Sequence, residues 1–472
     1  MPDNPASRIA AAQMHALTVV RREIRGRDSA VRSKYLREFT QSFQTYERTL
    51  STEEVERRTA AASILLIADY HALPGSQKFA SSLLEKIAQH SPAVLGVEAV
   101  FSRDQRILDS WWRREISEQE LRQRLRFDRE WGYDWGCFYE LLTTARDHGE
   151  GVYGLDCVPR DDLSRIRSRD RHAVAKICEM RERHPHAKIL VFFGESHMAP
   201  MHLPAILQKA LPGERSLTML QNIDALYWRA IEEKAAAVGI DENTVCVFNS
   251  SPLEKYESYR LCLERWNAAA DEPADFAPAV YNLIFSLARC LGFRLDCPHR
   301  GSQPRFLADS VPEVISVEQN AEELFGPTKL AEELVGPGPV RHRIEQVRSR
   351  IMNRLEEHGC VYVSVANRFL IREFRLPEVA AEAARFLHHA CAGPRYNESQ
   401  VGGKVEDALA HLGSRLLCPG VIEAGRDAGG EALYQAYLSD RITRAELRRM
   451  FLGLMDSRAD RLIRERVKAA SV

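Results

Sequence analysis

The chain has 472 residues, of which 45% are hydrophobic and 28% charged, a composition that is typical of a folded globular protein and excludes a disordered one. Lys and Arg total 65 against 66 Asp and Glu, so the net charge is -1. This balance gives no electrostatic reason to expect nucleic acid or an acidic membrane as the main partner, and the length predicts two or three domains.

No secretory signal or membrane span is predicted. The first stretch, "MPDNPASRIAAAQMHALTVVRREIRGRD", lacks a continuous apolar core followed by a small-residue cleavage site. No run approaches the roughly 18–20 uninterrupted apolar residues that a bilayer span needs. We therefore expect a cytoplasmic protein. Its ten cysteines are scattered singly, which favours reduced, buried thiols over a disulfide scaffold or a zinc–thiolate site.

Three segments differ in their hydrophobic pattern. Residues 1–58 carry apolar residues at helical spacing among Arg, Glu and Gln, and predict a helical N-terminal extension. Residues 59–265 alternate short apolar runs with helical segments, which is typical of an α/β domain. Residues 266–472 predict a mainly helical domain with a small β-hairpin that turns near Asn367.

The middle segment contains six nearly continuous apolar runs, which predict strands buried on both faces. They are residues 63–69, 93–99, 151–157, 188–194, 216–222 and 244–250. The helical segments between them predict crossover connections. The expected fold class is therefore α/β, with an open, mostly parallel sheet, an N-terminal helical extension and a mainly helical C-terminal domain.

Acids and histidines follow the first four predicted strands. In strand order they are Asp69 with His71, Glu98, Asp156, and Glu195 with His197. Ligands bind beyond the carboxyl ends of parallel strands, so we expect these side chains to share one pocket. Where the chain is extended, an acid-x-His unit places both side chains on one side. Gly194, immediately before the last unit, allows a tight turn or a close backbone approach.

Two chemistries fit this set, and spacing alone does not choose between them. Imidazole and carboxylate groups bind divalent metals, or they act without metal as a general base and its orienting partner. Each acid taken singly is also open to a helix-capping role after its strand. Asp156, in "LDCVPRDDLSR", is the most open to that alternative.

Aromatic residues and a further histidine lie near the predicted rim. Trp131 and Trp135 fall in the connection between strands two and three, with Tyr133 between them. Such a cluster indicates either core packing or the wall of a pocket for a flat or hydrophobic ligand. His202 follows the strand-four residues closely and is a candidate third imidazole.

Taken together, the segments "ILLIADYH", "VLGVEAV", "YELLTTARDHGEGVYGLD", "DRHAVAKI" and "ILVFFGESH...HLP" resemble the ChaN-like domain of the haem-binding uptake and Tiki superfamily. That superfamily is related to the erythromycin esterase and TraB groups. The resemblance covers about residues 60–215. Where the family has a Gly-Glu-x-His first motif, this chain has Ala68 and the shorter acid Asp69.

The resemblance implies an α/β fold whose catalytic relatives use Glu and His residues for hydrolysis, in the Tiki-like branch with a divalent metal. It also implies a link to haem binding and iron uptake, with which ChaN-like members are associated. Carried over to this sequence, the candidate residues are Asp69, His71, Glu98, Glu195 and His197.

Two hypotheses from different classes follow. In the first, the protein is a hydrolase of an amide or ester bond, with zinc or manganese held by His71, Glu98 and His197. The candidate catalytic residues of this enzyme are Glu195, Asp69 and Glu98.

In the second hypothesis, the protein binds haem or another flat ligand without turnover. The candidate ligand-binding residues are His202, Trp131, Trp135 and Asp156. Under either hypothesis we expect a small molecule or a peptide as ligand, no nucleic acid and no membrane span, and homo-oligomer formation is left open.

Overall fold

A computed structural model describes most of the chain, in nine stretches. They are residues 5–27, 34–157, 166–267, 274–293, 311–317, 341–364, 366–392, 400–418 and 427–454. The chain divides into two compact units, one formed by Ile24–Cys262 and the other by Met1–Glu23 together with Leu263–Val472. The division into three domains expected from the sequence stays a prediction.

The strands are numbered in chain order. They are β1 (Arg48–Leu50), β2 (Ile64–Asp69), β3 (Ala93–Phe101), β4 (Gly151–Asp156), β5 (Lys188–Gly194), β6 (Ser216–Gln221), β7 (Ala237–Gly239), β8 (Thr244–Val247), β9 (Glu313–Ser316), β10 (Cys360–Val363) and β11 (Arg368–Ile371).

The helices are numbered in the same way. They are α1 (Pro5–Arg27), α2 (Lys34–Ser42), α3 (Thr52–Ala61), α4 (Pro74–Ala88), α5 (Gln105–Trp112), α6 (Glu118–Arg124), α7 (Phe127–Glu130), α8 (Trp135–His148), α9 (Ile166–Arg183), α10 (Leu203–Ala210), α11 (Asp224–Glu232), α12 (Pro252–Asn267), α13 (Ala277–Leu291), α14 (Arg341–His358), α15 (Leu376–Ala392), α16 (Gln400–Leu417), α17 (Ala428–Leu438) and α18 (Arg444–Phe451).

The unit Ile24–Cys262 is built on an eight-stranded sheet of order β1-β7-β8-β6-β2-β5-β3-β4. The six strands predicted from apolar runs are present and form its parallel part. The prediction of a mostly parallel α/β sheet is therefore confirmed. The reason is local: side chains buried on both faces leave a run without polar residues, and β2 is buried along its whole length.

Two strands of this sheet were missed by the sequence analysis. The three-residue strands β1 and β7 pair with each other in antiparallel fashion, and β7 pairs in the same way with β8. They extend one edge of the sheet. A strand of three residues is too short to show the alternation of apolar and polar residues that marks a strand, so neither was predicted.

Helices cover both faces of this sheet, because alternate residues of each strand point to opposite sides. Leu65 and Ile67 of β2 pack in one core with residues of α4 and α8. Ile64 and Leu66 of the same strand pack in a second core, with residues of α9 and α10. The sheet is thus a central layer between two helical layers.

Strand β3 contains an irregularity that matters for the site. Its pairing with β4 shifts register between Val97 and Phe101. At this bulge a Cβ on Gly154 of β4 would lie 2.8 Å from the carbonyl oxygens of both Val100 and Phe101, so only glycine fits. Glu98 lies within the bulge and is released from the regular ladder.

The second unit is mainly helical, as expected, and contains the predicted hairpin. β10 and β11 pair in antiparallel fashion with Val363 opposite Arg368, and β9 adds a parallel strand to β11. Asn367 has φ of 50°, the left-handed conformation that asparagine tolerates in turns. The last described helix, α18, ends at Phe451, and residues 455–472, which belong to the predicted helical domain, lie outside the described residues.

No helix in the described stretches is long and apolar enough to cross a bilayer.

Candidate functional site

The carboxyl ends of β2, β5 and β3 lie side by side in the sheet. Asp69, the last residue of β2, is opposite Gly194, the last residue of β5, and Val97 of β3 is opposite Phe192 of β5. The acids and histidines that follow these strands therefore meet at one edge, as the strand-end argument expects.

Glu98 is the centre of this cluster. Its side chain is buried, and its Oε2 accepts a hydrogen bond from the backbone N–H of Gly194 at 2.5 Å. Its Oε1 accepts a hydrogen bond from the guanidinium of Arg169. The bulge in β3 directs the carboxylate across β5, and both of its oxygens have donors.

Arg169 of α9 links two strand-end acids that the sequence analysis placed in the pocket. Its Nε and Nη2 donate to the two carboxylate oxygens of Asp156 at 2.8 and 2.9 Å, and Nη2 also donates to Glu98. Burial lowers the pKa of Arg169, but the neighbouring Glu98 and Asp156 raise it by more, so the guanidinium is charged. One buried cation thus partly neutralises two buried acids.

His71 forms the first of two aspartate–histidine pairs. Its Nδ1 is 2.7 Å from Oδ2 of Asp69, and the other oxygen, Oδ1, accepts a hydrogen bond from Gln77 at 3.0 Å. Burial raises the pKa of Asp69, whereas the adjacent His71 lowers it, and the net shift is upward. The carboxylate fixes the orientation of the imidazole, and with the acid ionised Nδ1 is the donor.

His197 forms the second pair. Its Nδ1 is hydrogen-bonded to Oδ1 of Asp170 on α9, and Asp170 Oδ2 accepts a hydrogen bond from the Tyr35 hydroxyl at 3.0 Å. His197 and Asp170 are both buried. A phenol, a carboxylate and an imidazole therefore form a continuous chain of hydrogen bonds.

The two imidazoles face the same carboxylate. Nε2 of His71 is 3.7 Å from Glu98 Oε2, and Nε2 of His197 is 3.8 Å from Glu98 Oε1. They differ in access, because the His71 side chain is 23% exposed and that of His197 only 4%. His71 is the imidazole that a ligand from solvent reaches first.

Glu195 lies in the same strand-end segment but has a different partner. Its carboxylate forms a buried ion pair with Lys255 of α12, Oε2 to Nζ at 2.8 Å, and the same ammonium lies 4.7 Å from the centre of the Tyr70 ring. Burial raises the pKa of Glu195, an effect that Lys255 opposes. Burial lowers the pKa of Lys255, but Glu195 and Asp224 raise it by more, so the ammonium is charged.

The expected geometry of one acid-x-His unit needs correction. Glu195–Met198 is a 3₁₀ helix, so the chain after β5 is not extended. Glu195 therefore binds Lys255, while His197 turns to Asp170 and Glu98. Gly194 serves a close approach rather than a left-handed turn: its φ is -51°, and a Cβ there would lie 2.9 Å from Glu98 Oε2 and 3.2 Å from His71 Nε2.

The remaining residues predicted from the sequence fall into two groups. His202 is buried beside the site, stacked on the Tyr35 ring at 3.7 Å, and its Nε2 is 3.2 Å from Glu38 Oε2. Burial lowers the pKa of His202. Trp131 lies against His71, with ring centroids 4.3 Å apart.

Trp135, in contrast, belongs to the core. It packs against Tyr139 and Phe127 and donates from Nε1 to Glu118 at 2.8 Å. As the first residue of α8, it lies on the buried side of that helix. Trp131, rather than Trp135, is therefore the tryptophan that contacts His71, which was predicted as a metal ligand.

The expected metal site is not supported. Within the described stretches, no group of three or more His, Cys, Asp or Glu side chains is arranged to hold a metal ion. The physical reason is that both oxygens of Glu98, the carboxylate predicted to bind the metal, already accept hydrogen bonds, one from the Arg169 guanidinium and one from the backbone N–H of Gly194. These residues do not fit a zinc or manganese centre.

Four residues of the site were missed by the sequence analysis: Arg169, Asp170, Tyr35 and Lys255. A signal existed for the first two, since an adjacent Arg and Asp occur in the first turns of the helix that follows β4. Tyr35 lies before the first strand of the sheet, and Lys255 lies in the first turn of the helix after β8, beyond the four strands whose ends were considered.

Comparison with known proteins gives a family for part of the chain. Residues 55–202 match the family described as "Haem-binding uptake, Tiki superfamily, ChaN". This match confirms, over those residues, the resemblance that the sequence motifs predicted. No curated protein matches the chain.

Two solved structures are similar to part of the chain. The type III effector HopBA1 matches with 14% identity and a TM-score of 0.33, covering 43% of this chain and 96% of the effector. A structure of cofacial haem binding to ChaN of Campylobacter jejuni matches with 13% identity and a TM-score of 0.28, covering 37% of this chain and 86% of that protein. At these TM-scores neither likeness supports a shared site or activity.

Proposed function

We propose, on the premise that residues 55–202 form a ChaN-like domain of the haem-binding uptake, Tiki superfamily, that this domain hydrolyses an ester or amide bond by acid–base catalysis. One observation carries the proposal. Two imidazoles, each with Nδ1 bonded to its own buried aspartate, present Nε2 to opposite oxygens of Glu98.

An aspartate bonded to Nδ1 has two effects on a histidine. It selects the tautomer in which Nε2 carries the lone pair, and it stabilises the imidazolium that forms when Nε2 takes a proton. A general base of this kind contributes roughly 10²–10⁴-fold to a rate. Asp69 and Asp170 have this relationship to His71 and His197.

His71 is the residue we assign to the proton transfer, because its side chain is the more exposed of the two. In the proposed step, Nε2 of His71 removes a proton from a water molecule as its oxygen attacks the carbonyl carbon. The imidazolium then gives that proton to the leaving oxygen or nitrogen, which restores the neutral ring. Asp69 orients the ring throughout and stays ionised.

Glu98 and Arg169 keep the two imidazoles in place. Each carboxylate oxygen of Glu98 has a donor, so the group is held rigidly between the rings. A preorganised polar site of this kind needs little rearrangement during reaction. Glu195, expected from its position after β5 to be a catalytic residue, is bound to Lys255, which favours an electrostatic or structural role for it.

The ligand is expected to be a small molecule or a peptide with a flat group. Trp131 and Tyr133 lie against the ring of His71, at 4.3 and 5.3 Å between ring centroids. Aromatic side chains next to a reactive imidazole bind flat or apolar groups by stacking.

The test is hydrolysis of p-nitrophenyl esters and fluorogenic peptide amides by the full chain and by variants. We expect His71→Gln and His197→Gln to reduce kcat/KM by about 10²-fold or more. His186→Gln is the matched control, since His186 is exposed and lies in the turn before β5. Equal turnover by the wild type and by His71→Gln on every substrate would contradict the proposal.

A second candidate function is haem binding, which the family match and one feature of the site favour. Haem proteins bind iron through an axial side chain such as His and enclose the porphyrin in an apolar slot. The His71 imidazole is partly exposed, and Trp131 and Tyr133 supply aromatic surface beside it, so His71 would bind the iron and the two aromatic rings would contact the porphyrin. When bound, haem supplies redox or oxygen chemistry, or is itself the cargo.

Titration with haem tests this second candidate independently of turnover. If His71 binds the iron, the wild type and His186→Ala should give the same Soret band. His71→Ala should lose that band or shift it. A band that is identical in all three proteins would exclude His71 as the ligand.

A further inference from the structure

The helix α2 contributes to the site although it lies before the family-matched segment. α2 spans Lys34–Ser42, whereas the family match begins at residue 55. Phe39 of α2 packs in the core beneath β2 and β5. The polar residues Tyr35 and Glu38 of the same helix reach the His197 side of the site.

Tyr35 makes a polar contact that bears directly on a candidate catalytic residue. Its hydroxyl donates to Oδ2 of Asp170 at 3.0 Å, while Oδ1 of the same carboxylate binds Nδ1 of His197. The ring of Tyr35 also meets the His197 ring edge-on, with centroids 5.9 Å apart. Tyr35 thus contacts both members of the second aspartate–histidine pair.

The tyrosine is itself held in position by neighbours. His202 stacks on its ring at 3.7 Å with an interplanar angle of 10°, and Nε2 of His202 is 3.2 Å from Glu38, one turn further along α2. A stacked ring has little freedom to shift, so the hydroxyl keeps its position toward Asp170. His202, expected as a ligand-binding residue, is thereby a candidate support for this contact.

We propose that Tyr35 is a positioning residue, which fixes the Asp170 carboxylate and through it the tautomer and orientation of the His197 imidazole. A carboxylate with a donor on one oxygen cannot rotate without losing that hydrogen bond, so its other oxygen keeps its geometry toward Nδ1. The inference rests on the proposed function, since it gives His197 a tautomer suited to acid–base chemistry.

A purely structural role for Tyr35 is the alternative. In that case the hydroxyl would anchor α2 to the domain. Its loss would lower stability without changing how fast the Nδ1 proton of His197 exchanges with water. The state of the imidazole itself separates the two roles, and it can be measured whether or not the protein turns over a substrate.

The experiment is NMR of the full chain labelled with ¹⁵N-histidine, with the His197 Nδ1–H signal identified by its absence in His197→Gln. We expect Tyr35→Phe to speed exchange of that proton with water about tenfold, as loss of one hydrogen bond to the carboxylate allows. Tyr46→Phe is the matched control. It removes another tyrosine hydroxyl bonded to a carboxylate, that of Glu233 at 2.8 Å, away from the site.

A second pair of variants makes the result independent of stability. Asp170→Asn should abolish the protected signal, and adding Tyr35→Phe to it should change nothing further, because the two act through one contact. If Tyr35→Phe does not fold, Tyr35→3-fluorotyrosine keeps the hydroxyl with altered donor strength and should shift the same proton resonance.

An exchange rate in Tyr35→Phe equal to that of the wild type, or an equal increase in Tyr46→Phe, would overturn the proposal. If ester or amide turnover is found, Tyr35→Phe should also lower kcat about 3–10-fold with KM unchanged, since Tyr35 acts through Asp170 and not by binding the ligand. Absence of turnover would contradict the proposed hydrolysis but leave the exchange result standing.

Discussion

The backbone N–H of Gly194 donates to the carboxylate of Glu98 at 2.5 Å, and the Cα of this glycine faces both Glu98 and His71. A Cβ at this position would lie 2.9 Å from Oε2 of Glu98 and 3.2 Å from Nε2 of His71. The closeness of β5 to these two side chains therefore depends on the absence of a side chain at residue 194.

We expect Gly194→Ala to lower the free energy of unfolding by about 1–3 kcal/mol, as overpacking does, and to displace His71. Because Arg169 holds Glu98, the carboxylate cannot simply move away. Urea unfolding and the NMR signals of the His71 ring measure the two effects. Gly213→Ala is the control, since a Cβ there would have no atom within 4 Å. Equal stability of both variants would show that Glu98 and His71 can move to make room for the added methyl group.

Arg169 is expected to be among the most costly residues to replace. Arg169→Met removes the cation that binds the buried carboxylates of Asp156 and Glu98, and leaving buried charges unpaired costs about 3–5 kcal/mol. Chemical unfolding measures this loss. Arg113→Met is the comparison, because Arg113 pairs with Glu115 in an exposed position where such bonds contribute little. A loss below about 1 kcal/mol for Arg169→Met would contradict the electrostatic account.

The pair Glu195 and Lys255 should show strong coupling. Lys255→Met leaves the Glu195 carboxylate without its ammonium partner and should destabilise the protein by about 3–5 kcal/mol. The double variant Glu195→Gln with Lys255→Met should be less destabilised than Lys255→Met alone, because no charge is then left unpaired. Additive losses in a double-mutant cycle would show that the two side chains act separately.

We expect replacement of Asp69 to affect stability and activity in opposite directions. Because burial raises its pKa despite His71, the folded protein holds the proton on Asp69 more tightly than the unfolded chain does. The contribution of Asp69 to stability is therefore complete at low pH and is lost as the pH rises through the raised pKa. Asp69→Asn cannot ionise, so its stability relative to the wild type should improve as the pH rises above about 4, the ordinary pKa of an aspartate.

The same variant should lose turnover by roughly 10²–10⁴-fold, since an asparagine at Nδ1 favours the wrong imidazole tautomer. Unfolding curves at several pH values, together with kcat/KM, test both halves of the prediction. Asp147→Asn, at an exposed position, should leave both quantities unchanged. If the wild type instead becomes more stable relative to Asp69→Asn as the pH rises, His71 lowers the pKa of Asp69 more than burial raises it.

The sheet and its functional edge were largely predictable from sequence. Strands such as β2 and β5 are buried on both faces, which forces near-continuous apolar runs, and parallel strands bring their carboxyl ends to one edge. That logic brought Asp69, His71, Glu98 and His197 to one edge, where the structure also has them.

The partners of these residues were not predictable, for reasons of distance and of local conformation. Tyr35 lies 135 residues before Asp170, and Lys255 lies 60 residues after Glu195, so only the tertiary fold brings them together. The divergence of Glu195 from His197 depends on a single 3₁₀ turn, which a periodicity argument cannot distinguish from extended chain.

The bulge in β3 has a consequence for how a ligand is received. Glu98 projects from a strand that continues to Phe101, so folding itself immobilises this group and no loop has to close over an arriving molecule to organise it. Affinity is then not reduced by an ordering cost at this position. Different ligands would therefore meet the same preformed polar group, and selectivity among them would depend on Trp131 and Tyr133 beside His71.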